Sequence, residues 1–89
     1  MSQENEKRLI EIIKKVCRLE VEPGLIDELL KSDECDIMES MGFDSLLIVE
    51  LIVEIEDEFG FEFDMNRLNI NKLKIFGLLK ETIGSYIEQ

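Results

Sequence analysis

Three stretches of the chain repeat apolar residues at helical spacing, and each predicts one main helix. Leu9, Ile12, Ile13 and Val16 predict a helix from about residue 3 to 18. Ile48, Leu51, Ile52, Ile55 and Phe59 form the core face of a second helix, from Ser45 to about Phe59. Leu73, Phe76, Leu79, Ile83 and Ile87, with Leu78 alongside, predict a third from about Lys72 to Ile87, weakened by Gly77 and Gly84. Between the first two runs a long connection, residues 20–44, opens on the helix-breaking Glu20-Val21-Glu22-Pro23-Gly24. Leu25, Ile26, Leu29 and Leu30 predict a helical turn or two within it, and Ile37 and Met41 anchor its end. After the second helix, Gly60 reads as a C-terminal cap. Phe61 and Phe63 then read as an extended loop with its aromatics in the core. Asp64 is placed to cap a short helix through Met65, Arg67 and Leu68. The pattern predicts an all-α fold of three main helices and one short one, in a single domain spanning residues 1–89.

The second helix carries more apolar surface than a core needs. Leu46, Val49 and Val53 make a second stripe on roughly the opposite side, among Glu50, Glu54, Glu56, Asp57 and Glu58. Such a stripe suits contact with another molecule. At the head of the helix, Asp44 can cap free backbone N–H groups. Ser45 then occupies the first helical position with its hydroxyl exposed. The positive end of the helix dipole there favours a negatively charged group.

Charge sharpens this picture. The net charge is -11, and fourteen of the 21 acids fall between residues 20 and 59, with Lys31 the one base among them. That field repels nucleic acid and attracts basic protein patches. The first residues have no apolar core of a signal peptide, and no run approaches the length of a membrane span. The protein is expected in the cytoplasm, as a monomer. Cys17 and Cys35 form no C-x-x-C pair and histidine is absent, which excludes the usual zinc sites. Asp33 to Asp44 has the length of a calcium loop, but Cys35, Ile37 and Met38 occupy positions that need ligands or the turn glycine. No metal site is expected.

Ser45 is poorly equipped as a catalytic nucleophile. There is no histidine to activate it, the nearest lysine in sequence is Lys31, and Gly-x-Asp-Ser-Leu is not the Gly-x-Ser-x-Gly elbow of hydrolases. A serine modified by another enzyme is the better reading, so the chain is expected to serve enzymes and not to be one.

The stretch Asp36-Ile37-Met38-Glu39-Ser40-Met41-Gly42-Phe43-Asp44-Ser45-Leu46 resembles the phosphopantetheine attachment motif of acyl carrier proteins, and the likeness extends loosely over nearly the whole chain. The resemblance implies a four-helix bundle of the acyl-carrier type. It implies that Ser45, beside Asp44, receives 4′-phosphopantetheine from coenzyme A through a phosphodiester, and that the arm carries acyl groups as thioesters for fatty-acid, polyketide or related biosynthesis. The implied partners are a phosphopantetheinyl transferase and acyl-transfer or synthase enzymes with basic patches. Leu46, Val49, Glu50, Val53, Glu56 and Asp57 match the family's partner surface. Leu47 departs from the acid common in fatty-acid carriers, and the segment from Asp64 to Leu73 is slightly long and lacks a proline after Phe63. Two other readings stand beside this one: a D-alanyl or aminoacyl carrier, and an acidic helical interaction module without cofactor.

Overall fold

A computed structural model of the chain describes residues 2–17, 22–64 and 66–87. Among these residues lie six helices and one isolated bridge, between Asp36 and Ile75, with no strand. The helices are α1 (Gln3–Val16), α2 (Pro23–Leu29), α3 (Ile37–Met41), α4 (Ser45–Phe59), α5 (Ile70–Lys74) and α6 (Phe76–Ile87). The three long ones, α1, α4 and α6, are the three that the apolar spacing predicts. The expected all-α bundle is therefore the fold.

Side-chain chemistry sets the start of α1. Ser2 Oγ accepts the N–H of Asn5 at 3.2 Å, with Glu4 and Glu6 in the first turn and Lys14 and Lys15 in the last, each on its favourable end of the dipole. Its buried face is the predicted Leu9, Ile12, Ile13 and Val16. The helix ends at Val16, and the breaker residues Glu20 and Val21, like Arg18, lie outside the described residues. Within the long connection, Pro23 opens α2, which buries Ile26 while Leu30 packs just beyond it; Leu25 is exposed. Asp36 caps α3 by accepting the Glu39 N–H at 3.0 Å, and Ile37 and Met41 are buried as anchors.

Along α4, Ile48, Leu51 and Ile55 are buried, whereas Ile52 and Phe59 are only half-buried. The core meets the line from Ile48 to Ile55, and Ile52 lies to one side of it, at the edge of the buried arc. Phe59 is covered by the Arg8 guanidinium, 4.7 Å from its ring centre. A place outside the core face predicts that Glu50, Glu54 and Asp57 are exposed; Asp57 is, but Glu50 and Glu54 are half-buried. Beyond the left-handed Gly60 (φ 73°), Phe61 stacks on Tyr86 with centroids 4.8 Å apart, and Phe63 packs edge-on to both rings. This is the extended aromatic loop that the sequence predicts.

The C-terminal third differs from expectation. Asp64 does not start a helix; its carboxylate accepts the Asn66 N–H and its carbonyl the Arg67 N–H, a turn only, and Met65 lies outside the described residues. The short helix comes later, as α5, where Asn69 accepts the Asn71 N–H at 2.9 Å. The predicted helix from Lys72 is divided at Ile75, whose backbone is extended. The break is imposed from outside: Phe76 N–H donates to Cys35 O at 2.9 Å and Gly77 N–H to Asp33 O at 2.8 Å. The long connection thereby caps α6. Cys17 and Cys35 are both buried free thiols.

Candidate functional site

Ser45 is held in place by its neighbours on both sides. Met41 ends α3 in the core, Gly42 reverses the chain in the left-handed region (φ 68°), and Phe43 returns to the core, 4% exposed. Asp44 then leaves the core with extended backbone and accepts the Leu47 N–H at 2.9 Å. This satisfies one of the free donors of the first turn. Two buried anchors and two caps thus fix a three-residue loop, and Ser45 follows it as the first residue of α4, exposed to solvent. Asp44, also exposed, serves as the predicted cap.

The donor set suits an anionic group on the serine. A phosphodiester on Ser45 would sit at the positive end of a fifteen-residue helix, with the hydroxyl open to an incoming enzyme. A Cβ built on Gly42 would meet nothing within 4 Å, so the turn requires glycine for its backbone and leaves open space beside it.

The six residues matched to a partner surface fall in different settings. Leu46 (67% exposed), Val49 (54%) and Val53 (48%) are open to solvent, not covered by the long connection. Asp57 is exposed with them. Glu56 is half-buried, and its Oε2 accepts the Phe63 N–H at 2.8 Å, tying the aromatic loop back to α4. Glu50 is half-buried, with one carboxylate oxygen closed to solvent.

Phe43 escaped the sequence reading, where it stood only as the variable residue of a motif. An aromatic between the turn residues Gly42 and Asp44 is the signal that marks it as an anchor. Arg8 escaped too. Its Nη2 donates to both Glu58 Oε2 and Glu58 O at 2.7 Å, so it closes the C-terminal end of α4 against α1. No helix among the described residues is long and apolar enough to cross a membrane.

The family described as "Phosphopantetheine attachment site" matches residues 7–74. The acyl carrier protein of Thermotoga maritima is 33% identical over 79 residues, covering 89% of this chain and 90% of that relative. No solved structure matches the chain.

Proposed function

The chain belongs to the acyl carrier protein family, whose cofactor is 4′-phosphopantetheine, and on that premise we propose that Ser45 is the attachment residue and that the cargo is an acyl group in fatty-acid, polyketide or related biosynthesis. One observation carries the assignment: the serine of the motif is the exposed first residue of α4, with its turn fixed by the Asp44 cap and the buried Phe43. A transferase moves the phosphopantetheinyl group of coenzyme A onto Ser45: the Oγ–P bond of the phosphodiester forms as the pyrophosphate bond of coenzyme A breaks, adenosine 3′,5′-bisphosphate leaves and the hydroxyl proton is released. Once attached, the arm supplies the thiol that holds acyl groups as thioesters. Asp44 keeps the first turn wound while the hydroxyl stays free, and the helix terminus offsets the charge placed on it. Leu46, Val49 and Val53, with Asp57 and the flanking Glu50 and Glu56, form the face that enzymes meet. The name of the Thermotoga maritima relative supports an acyl cargo over an aminoacyl one.

Incubation with coenzyme A and a phosphopantetheinyl transferase tests the site. Intact mass should rise by one cofactor group in the wild type and stay unchanged in Ser45→Ala. Addition to the alanine variant would place attachment elsewhere. The thioester-bound mass on protein from its native host reads the cargo, and an aminoacyl adduct there would replace the proposed class.

A further inference from the structure

A groove of about 510 Å³ runs between residues 64–73 and one face of α6, and no described residue of α4 lines it. Local chemistry shapes its walls. Tyr86 Oη accepts the Asp64 N–H at 2.8 Å, which ties the end of α6 to the loop, and the Asn69 cap turns that loop into α5. Leu68, Leu73, Leu78 and Tyr86 give the groove an apolar lining. Its charges are divided between the walls. The stretch from Met65 to Lys80 holds four bases and no acid. Lys74 and Lys80 are turned toward Asp36, Asp33 and Glu6, which leaves Arg67 and Lys72 for the groove. Glu81 stands on the α6 wall, beside a Thr82 hydroxyl already donated to Leu78 O. Among the described residues, Lys72 and Glu81 enter no ion pair. The Arg67 side chain is 85% exposed, and its Nε lies 3.5 Å from Asp64.

We propose that this groove binds a small zwitterion with an apolar body, of the class of a short apolar peptide with free ends. Lys72 and Arg67 take the carboxylate, Glu81 takes the ammonium, and the side chains lie over Leu68, Leu73 and Leu78. Opposite charges that stand on facing walls without bridging each other are completed by a ligand that carries both signs. Net charge favours the same class. An anion approaching the groove meets the repulsion of a chain with net charge -11, and a cation is drawn to the acids of α4 instead. A zwitterion has no net charge and escapes both effects. The volume lies in the range of small-ligand sites. Three leucines along the groove cover two apolar side chains better than one, which favours a dipeptide over a single amino acid.

The probe is leucyl-leucine, titrated into the isotope-labelled full chain and followed by NMR amide shifts. The shifts should gather at residues 67–73 and 78–86, with a Kd below about 1 mM. N-acetylation removes the ammonium and amidation removes the carboxylate, and each should weaken binding by about threefold or more. Glycyl-glycine keeps both charges without the apolar body and should bind at least about tenfold more weakly. Exposed-residue variants then assign each end. Glu81→Gln should erase the difference between the free and the acetylated peptide and keep the difference to the amidated one; Arg67→Gln with Lys72→Gln should do the reverse. Ser45 modification, read separately by mass, is independent of every one of these results. Acetylated or amidated peptide that binds as tightly as the free form would overturn the inference. So would shifts gathered on α4 or scattered over the chain, or no shift up to about 10 mM peptide.

Discussion

The head of α4 and the joint between α5 and α6 are both short breaks between helices, yet they are pinned by different means. At the head, the turns and caps are local, although Asp36 also bridges to Ile75. Asp36 and Asp44 each cap a donor three residues on, Gly42 takes the left-handed turn, and Phe43 anchors the loop from within. At the joint, the restraints come from far along the chain. Cys35 and Asp33 supply carbonyls to Phe76 and Gly77, and Lys80 reaches Asp33 at 2.7 Å and Glu6 at 3.3 Å. Local pinning acts from beneath and leaves the outer surface free, which is what the proposed modification of Ser45 requires. Distant pinning closes a surface over.

Substitutions at the two places should separate these modes, and the largest effect is expected at the joint. A Cβ on Gly77 would lie 2.8 Å from Asp33 Cβ and 2.9 Å from its carbonyl oxygen. That oxygen is held by the Gly77 N–H itself, so neither side can withdraw without losing the bond. Gly77→Ala should therefore destabilise by about 1–3 kcal/mol in urea melts, although alanine is the better helix former. A neutral or stabilising result would show the joint to be loose.

At the head, Asp44→Ala should cost about 0.5–2 kcal/mol, the usual range for a lost cap. Ser45→Ala, one residue on, should change stability by less than about 0.5 kcal/mol, because its hydroxyl is exposed. If Ser45→Ala proved as damaging as Asp44→Ala, the hydroxyl would be a structural group and the head would resemble the joint.

The smallest effect is a titration at Lys80. Burial pulls its pKa down, but the bonds to Asp33 and Glu6 outweigh that and raise it above its ordinary 10.5. A raised lysine contributes stability that is fully present below its unfolded pKa and is lost as pH rises through the folded one. Melts above about pH 10.5 should therefore show an added loss, within about 1 kcal/mol because Asp33 lies at the surface, where solvent screens the pair. Lys80→Met should flatten that alkaline limb. An unchanged limb would remove Lys80 from the pinning of the joint.

The same contrast explains what could be read in the sequence. The start of α4 at Ser45, its end at Gly60, and the buried Ile48, Leu51 and Ile55 follow from caps and spacing within one helix, and all are where the sequence puts them. The division at Ile75 was illegible, because the apolar spacing runs unbroken from Leu73 to Ile87 and the carbonyls that interrupt it lie some forty residues earlier. Misplacement of the short helix has a similar cause. Asp64 and Asn69 are both good caps, and local chemistry alone does not choose between them. On α4, spacing distinguished the outward ridge from the core face, but the engagement of Glu54 by Lys15 and of Glu58 by Arg8 depends on how α1 packs.

Helix α1 is bound to residues that are made long after it. Arg8 waits for Glu58, fifty positions on, and Glu6 for Lys80, seventy-four positions on. During synthesis the N-terminal helix can wind early, and Asp27, the partner of Lys14, follows soon, but Glu58 and Lys80 emerge from the ribosome much later. Loop closure on that scale adds little to the cost of each contact, since the entropy grows only with the logarithm of length. It does set an order of events. The caps at the head of α4 lie within its own few residues and can form early, whereas the burial of Met41 and Phe43 that fixes the loop waits for the core to close.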